Sequence, residues 1–277
     1  MTVPEARSSG IDKKRLLADV RRLGVRPGDL VMVHASLRKL GLARTIFGEG
    51  GADLLLDALD EAVGPGGTLM MTLGSEYEMD WVNQRPVEER AKLLAGSAPL
   101  DPKSAPAMKD VGWLAEAFRT RPGTIVSSNP SGRFGARGAD AEALMAGQPW
   151  NDYYGPGSPL HKFCDRKGRI LRLGADPDTV TMLHYAEYLA RLPVKKRTRW
   201  DYIFQGEGEA AHVWIECLDD FQGIAEFEGE DYFTVILQAY LELDRHRSGF
   251  VGTARSELID AADIVAFGTR WMERSLT

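Results

Sequence analysis

His184 and Glu187 stand three residues apart in the stretch Met182-Leu183-His184-Tyr185-Ala186-Glu187. Three residues is the spacing that puts two side chains on one face of a helix. An imidazole beside a carboxylate is the arrangement a general base with an orienting partner requires. The periodicity predicts a helix over residues 179–191, with Met182, Leu183, Ala186, Leu189 and Ala190 as its apolar stripe and His184 roughly opposite, on the side that does not pack. Asp178 is the expected N-cap, and Pro193 stops the helix. A solvent-exposed face carrying an incidental His and Glu fits the same pattern. The second candidate is His34, which ends the apolar run 30–33 and is followed by Ala35, Ser36 and Leu37. Strand ends of this kind are where parallel α/β sheets place their sites, although a satisfied core histidine also fits. His161, His212 and His246 have no such context. The chain has no HExxH, CxxC, G-x-S-x-G, G-x-G-x-x-G or Walker motif. His184 and Glu187 could supply two metal ligands, but no third is apparent.

The elements that position these residues alternate. A helix over 11–23, a strand over 30–33, a loop at Gly48-Glu49-Gly50-Gly51, a helix over 52–63 and a strand over 68–73 make an αβαβ start. Such a start calls for a mostly parallel sheet, hence an α/β fold. A helix over 112–120, a strand over 124–128, a short helix over 140–145 and a helical turn at 160–164 follow. Between the last two lies a polar loop, 151–159, with Tyr153, Tyr154 and Ser158. The run 170–173, closed by Gly174, is the strand before the His184 helix. Past a basic run at 195–199, residues 202–204 and 211–217 alternate as antiparallel strands that end at Asp219 and Asp220. A helix over 232–243, and a strand and closing helix within 260–273, complete the chain. Residues 1–10 read as a loose tail. Periodicity fades over 74–106, where Glu76, Tyr77, Asp80 and Trp81 mix acid with aromatic side chains. That mixture suits a sugar-like cation or an ordinary surface. The expected organisation is one domain over 1–277, with a loop insertion at 74–106 and a small β subdomain at 194–230.

The formal charge of −6 argues against nucleic acid, whose phosphates want a basic face, and suits a polycationic small molecule. Two cysteines give neither a disulfide framework nor a metal spacing, so a reducing cytoplasm is the expected compartment. No apolar run approaches the roughly 18 residues that span a bilayer, and the N-terminus carries no apolar signal core.

Five segments come in a recognisable order: VMVHASLRKLG from 31, GPGGTLMM from 64, YGPGSPLHKF from 154, LRLGADPDTVTMLHYAEYLA from 171 and VGTARSELIDAADIVAFGTRWME from 251. Over nearly its whole length the chain resembles the aminoglycoside 3-N-acetyltransferase family. The resemblance implies a three-layer α/β/α fold with a small antiparallel β layer, distinct from the common acetyltransferase fold, and acetyl-CoA as co-substrate without a metal. It implies acetyl transfer to the 3-amino group of 2-deoxystreptamine aminoglycosides, which gives antibiotic resistance. His184 would take the amine proton, with Glu187 or Asp219 orienting it. Thr181 or backbone N–H groups would stabilise the oxyanion. His34, Ala35, Ser36 and Leu37 would hold the CoA pyrophosphate and pantetheine, with Tyr154 and Ser158 near the thioester. Glu76, Tyr77, Asp80, Trp81 and Asp220 would face the acceptor. One departure stands out: many members read S-x-H-P-x-x-S where this chain has Ser127-Ser128-Asn129-Pro130-Ser131-Gly132-Arg133, and Arg133 is expected on a CoA phosphate. Acetylation of a different amine, and a metal-dependent hydrolase using His34, His184 and Glu187, remain open alternatives. A monomer or homodimer is expected.

Overall fold

In the computed structural model, which describes residues 10–42, 50–229 and 231–276, the strand that carries His34 lies at the middle of the sheet. Most of the tail read over 1–10, together with Gly48 and Glu49 of the glycine loop, lies outside the described residues. β1 (Leu30–Ala35) pairs in parallel with β2 (Thr68–Thr72) on one side and with β5 (Arg169–Leu173) on the other. Antiparallel strands flank this parallel centre. β4 (Phe134–Gly138) and the two-residue β3 (Ile125–Val126) lie beyond β2, and β9 (Ala254–Asp260) and β8 (Arg247–Val251) lie beyond β5.

Leu30, Val31, Met32 and Val33 are all buried, and the reason is that both faces of the strand are covered. Alternation divides them. Val31 and Val33, with Leu69, Met71, Leu171 and Leu173, face one core. Helices α1 (Lys13–Leu23), α2 (Gly51–Val63) and α4 (Trp113–Arg119) cover that core. Met32, Met70 and Ile170 face the other. There α5 (Ala141–Met145), α6 (Pro159–Asp165), α7 (Met182–Leu189), α8 (Tyr232–Leu241) and α9 (Ala261–Ser275) close the third layer. The fold is α/β/α, as the resemblance implies; the alternating pattern gave its parallel centre, β2-β1-β5, while the outer pairings are antiparallel.

Local chemistry sets the helix ends. The Arg15 N–H donates to Asp12 at the start of α1, and the Asp263 N–H to Asp260 at the start of α9. The region 260–273, read as a strand and a helix, is helix α9 from Ala261 onward, because the strand β9 precedes it and ends at Asp260. α7 is shorter than its periodicity suggests. Residues 176–180 form a turn, in which the Thr179 N–H donates to Asp176 O and the Val180 N–H to Asp178 O. Asp178 therefore ends up as part of the turn rather than the N-cap, and the helix begins at Met182. Lys195 donates from Nζ to the free carbonyls of Glu187 and Tyr188 at the other end.

The remaining pieces dock on the α8/α9 side. β6 (Arg197–Phe204) and β7 (Ala211–Leu218) form the small antiparallel sheet, and Tyr202, Ile215, Cys217 and Leu218 join the same core as α7. The segment 74–106 is less irregular than its sequence suggests, because it contains a 3-10 helix, Asp80–Gln84, and the helix α3 (Val87–Leu94). A buried carboxylate, Asp201, ties it to β6 by accepting from Arg90 Nη1 at 3.2 Å, while Arg199 and His212 also bond to it.

Candidate active site

α7 does present His184 and Glu187 together, but not on an open face. Glu187 is 1% exposed. The His184 ring is stacked on Tyr154, with centroids 4.9 Å apart, and meets the edge of Phe233 at 4.8 Å. Of the apolar stripe read from the periodicity, Met182, Leu183, Ala186 and Ala190 are buried, whereas Leu189, at the end of the helix, is exposed. What the periodicity could not show is that Tyr154, from the loop before α6, and Tyr232 and Phe233, from the start of α8, close over the opposite side. The far face packs closely against α9, where a Cβ on Gly268 would lie 2.7 Å from Leu183 Cδ2.

Within that enclosure the dyad is fully specified. His184 Nδ1 and Glu187 Oε2 are 2.8 Å apart, and the Tyr232 hydroxyl donates to Oε1. An ionised carboxylate can only accept, so Nδ1 carries the proton and Nε2 holds the basic lone pair. No hydrogen bond engages Nε2 among the described residues. Burial pulls the imidazole's affinity for a proton down. The charge of Glu187 and its hydrogen bond, followed by Asp220 and Asp231, more than reverse this, and the pKa lies above its ordinary 6.5. A cavity of about 540 Å³ opens at this point, bordered by His184, Glu187, Tyr232 and Phe233 and by the carboxylates Asp178, Asp220, Glu226 and Asp231.

Of the two proposed orienting residues, Glu187 is the one in contact. Asp219 does not reach His184, because its carboxylate accepts from the backbone N–H groups of Phe221 and Gln222, folding the turn after β7. Its neighbour Asp220 does enter the site. Tyr153 donates to Asp220 Oδ2, while Oδ1 is buried without a hydrogen-bond partner. Desolvation holds this carboxyl above its usual range, opposed by the nearby His184.

A second cavity, about 420 Å³, lies at the C-terminal end of β1. His34, Ala35, Ser36 and Leu37 line it, with Thr72, Trp113, Asp176, Thr179 and Thr181. Thr181 hydrogen-bonds Thr72 through its hydroxyl, at 3.1 Å, and sits three residues before His184. The connection 178–181 thus borders both cavities. His34 is kept neutral, its pKa pushed down to about 3 by burial and then by Arg172, and its Nε2 is buried and unpartnered.

Several expected contacts fall elsewhere. Arg133 is wholly buried, and four of its five guanidinium N–H groups donate to the carbonyls of Gly74, Pro102, Ala105 and Pro106, so the side chain is committed to the 74–106 segment rather than presented to a CoA phosphate. It fastens the two ends of the 74–106 segment instead. Ser158 is also buried, its hydroxyl spent on the N-cap of α6 through the His161 N–H. Glu76, Tyr77, Asp80 and Trp81 do not border the His184 cavity. Glu76 is bonded to Lys109, Tyr77 packs on Tyr202 at 5.8 Å, and Trp81 is half exposed. Asp80 has its carboxyl raised to about 6 by desolvation and the charge of Glu76. The residues that do border the cavity, Asp178, Glu226, Asp231, Tyr232 and Phe233, were missed as site residues. The helix over 232–243 was legible, but no sequence spacing links its first turn to His184. Among the described residues no three His, Cys, Asp or Glu side chains form a group that could hold a metal, and His34 borders a different cavity from His184.

The buried His184–Glu187 pair faces one cavity, and the connection 178–181 runs from that cavity to the one at the end of β1. Comparisons with known proteins give the family. The family model described as aminoglycoside 3-N-acetyltransferase matches residues 32–273. The chain is 34% identical to aminoglycoside N(3)-acetyltransferase VII of Streptomyces paromomycinus, over 98% of this chain and 94% of that one. Among solved structures it is similar to AAC-IIIb in a binary complex with CoASH, with a TM-score of 0.86 and 37% identity over 95% of this chain and 97% of that one. It is also similar to AAC-VIa bound to sisomicin, with a TM-score of 0.83 and 38% identity over 95% and 98%. The chain belongs to the aminoglycoside 3-N-acetyltransferase family. The reading from its five sequence segments is borne out.

Proposed function

We propose that this chain transfers the acetyl group of acetyl-CoA to the 3-amino group of a 2-deoxystreptamine aminoglycoside, with His184 as the general base. One observation carries the residue assignment: Nδ1 of His184 is held by a buried carboxylate while Nε2 is free of hydrogen bonds beside an acidic cavity. The carboxylates Asp178, Asp220, Glu226 and Asp231 suit a polycation, and Asp220 Oδ1 has an unused acceptor site for one ammonium. The channel at the end of β1 suits the CoA arm, with the backbone of residues 34–37 along its wall. Thr181 borders the β1-end cavity three residues before His184, so a thioester carbonyl in that channel would approach both.

The acceptor amine attacks the thioester carbonyl as His184 Nε2 takes its proton. A C–N bond forms, the C–S bond breaks, and His184 returns the proton to the departing thiolate, so that free CoA and the acetylated drug leave. Thr181 or nearby backbone N–H groups would face the oxyanion. Neither cysteine is suited to an acyl-enzyme, since burial raises both thiols, Cys164 to about 11. Acetylation removes one positive charge from the drug, and drug resistance follows from that loss. The 74–106 segment, locked to β6 through Arg90 and Asp201, and the small β sheet would form the outer acceptor wall. Among the described residues no helix is long and apolar enough to cross a membrane. We place the reaction in the cytoplasm, where acetyl-CoA is available.

The test is thiol release from acetyl-CoA, with and without kanamycin, gentamicin or apramycin. Release that depends on an aminoglycoside is expected. The His184→Ala variant should lose about 10²- to 10⁴-fold in turnover while still binding CoA. Full activity in that variant would remove His184 from the mechanism. Release with none of the drugs, in protein that binds CoA, would move the acceptor to another amine.

A further inference from the structure

Glu187 has two carboxylate oxygens in a site from which water is nearly excluded, and only one of them faces His184. We infer that Tyr232 is a positioning residue of this enzyme: its hydroxyl holds the second oxygen of Glu187 and so sets how strongly the dyad draws the proton of the acceptor amine. The inference rests on the reading of His184 as the base.

The direction of the hydroxyl proton is determined by its neighbours. The Ile224 N–H donates to the Tyr232 oxygen at 3.2 Å, which occupies one lone pair and leaves the O–H to point at Glu187 Oε1. Burial first, then the charge of Glu187, keeps the phenol far above its ordinary pKa of 10.0, so it remains a donor at every working pH. The ring itself is held on several sides. Asp231 caps α8 by accepting from the Thr234 N–H, which fixes the helix start from which Tyr232 projects. The edges of Phe227 and Phe233 meet the ring. Gly223, at φ +85°, lets the preceding turn close over it: a Cβ there would lie 2.7 Å from Tyr232 Cε1. The charges around the pair are Asp220, after β7, Asp231, before α8, Asp178 and Glu226 on the cavity wall, and Lys195, whose Nζ donates to the Glu187 carbonyl; Tyr232 is the neutral side chain that donates to Oε1.

The physical consequence has a sign. A donor on Oε1 draws off part of the carboxylate charge that would otherwise stabilise the imidazolium. Removing it turns that charge more fully onto His184 and makes the base harder to deprotonate. Tyr232→Phe keeps the ring and its packing but deletes the donor. The acid limb of the pH profile of kcat/KM should then move to higher pH, with about a 10- to 100-fold loss in kcat and little change in KM for acetyl-CoA. Replacing Tyr232 with 3,5-difluorotyrosine keeps the hydrogen bond and strengthens the donor, so the same limb should move to lower pH. It also provides the measurement if the Phe variant fails to fold. Opposite shifts of the two limbs establish the role. An unmoved limb in both variants, with kcat within about threefold of the parent, would overturn it. His184→Ala, assayed alongside, separates the two readings: if it stays active, the base assignment fails; if it is inactive while both Tyr232 profiles are unmoved, only the Tyr232 inference fails.

Discussion

Replacing Glu187 with Gln changes one atom of the dyad and tests its whole logic. In the native site, Glu187 accepts from both His184 Nδ1 and the Tyr232 hydroxyl. A carboxylate can satisfy two donors at once, but an amide cannot, because it has one oxygen and one NH2 group. If the amide oxygen faces His184, the NH2 is directed at a phenol oxygen that already accepts from Ile224, and the phenol proton loses its acceptor. If the NH2 faces His184 instead, it donates to Nδ1 and moves the imidazole proton to Nε2, the atom that has to be basic. In either arrangement the base is damaged. The charge is lost as well. At about 4 Å between charge centres and an effective dielectric of about 20, the carboxylate contributes roughly 4 kcal/mol of attraction to the imidazolium. Without it, burial is the largest remaining influence on His184 and lowers its pKa, against the smaller pull of Asp220 and Asp231.

Two outcomes follow together. The kcat should fall by about 10²- to 10³-fold, because general-base assistance is worth about that much. The acid limb of kcat/KM, which for the native dyad lies above pH 6.5 because the base must be neutral and its pKa is raised, should move to lower pH. The assay is thiol release from acetyl-CoA with a saturating aminoglycoside, from about pH 5 to 9. The drug's own ammonium groups titrate over the same range, but equally for both proteins, so the difference between profiles belongs to the enzyme. A variant with kcat within about threefold of native and an unmoved acid limb would refute the assignment of Glu187 as the orienting partner.

Asp219→Ala is the complementary test: it removes the carboxylate that accepts from the Phe221 and Gln222 N–H groups in the turn after β7 and should lower stability by about 1 kcal/mol while leaving the acid limb of the profile in place, as thermal melting and the same assay would report. Arg133→Ala should be far more damaging to the fold than to CoA affinity. It leaves the carbonyls of Gly74, Pro102, Ala105 and Pro106 without this donor, costing about 3 kcal/mol or more, so the melting temperature should fall by several degrees while CoA binding to the surviving folded protein, measured by calorimetry, is preserved. A specific loss of CoA affinity at native stability would return Arg133 to the cofactor.

Much of this protein was legible before any coordinates. The alternation of 3.6-residue and short apolar runs placed α1, α2, β1, β2, β5 and α8, because burial on one face or on both leaves its period in the residues themselves. The His184–Glu187 pairing was legible for the same reason, since i and i+3 on a helix are neighbours whatever surrounds them. Arg133 shows the limit of such reading: its charge suggested a phosphate, but its four carbonyl partners come from three stretches of 74–106 that no spacing relates to it. Ser158 shows the same limit: it is buried, and its hydroxyl oxygen accepts the His161 N–H at the cap of the helix next to it in the chain. Residue type reports what a group is able to bond, whereas its actual partners depend on which segments the fold brings within 3 Å. That is why the sequence alone determined the parallel centre, the helix that bears His184 and the family likeness, while the tertiary structure put Glu187 rather than Asp219 against His184, closed Tyr154 and Phe233 over the ring, and brought Tyr232 from 45 positions away to the oxygen of Glu187 that its own helix leaves unpaired.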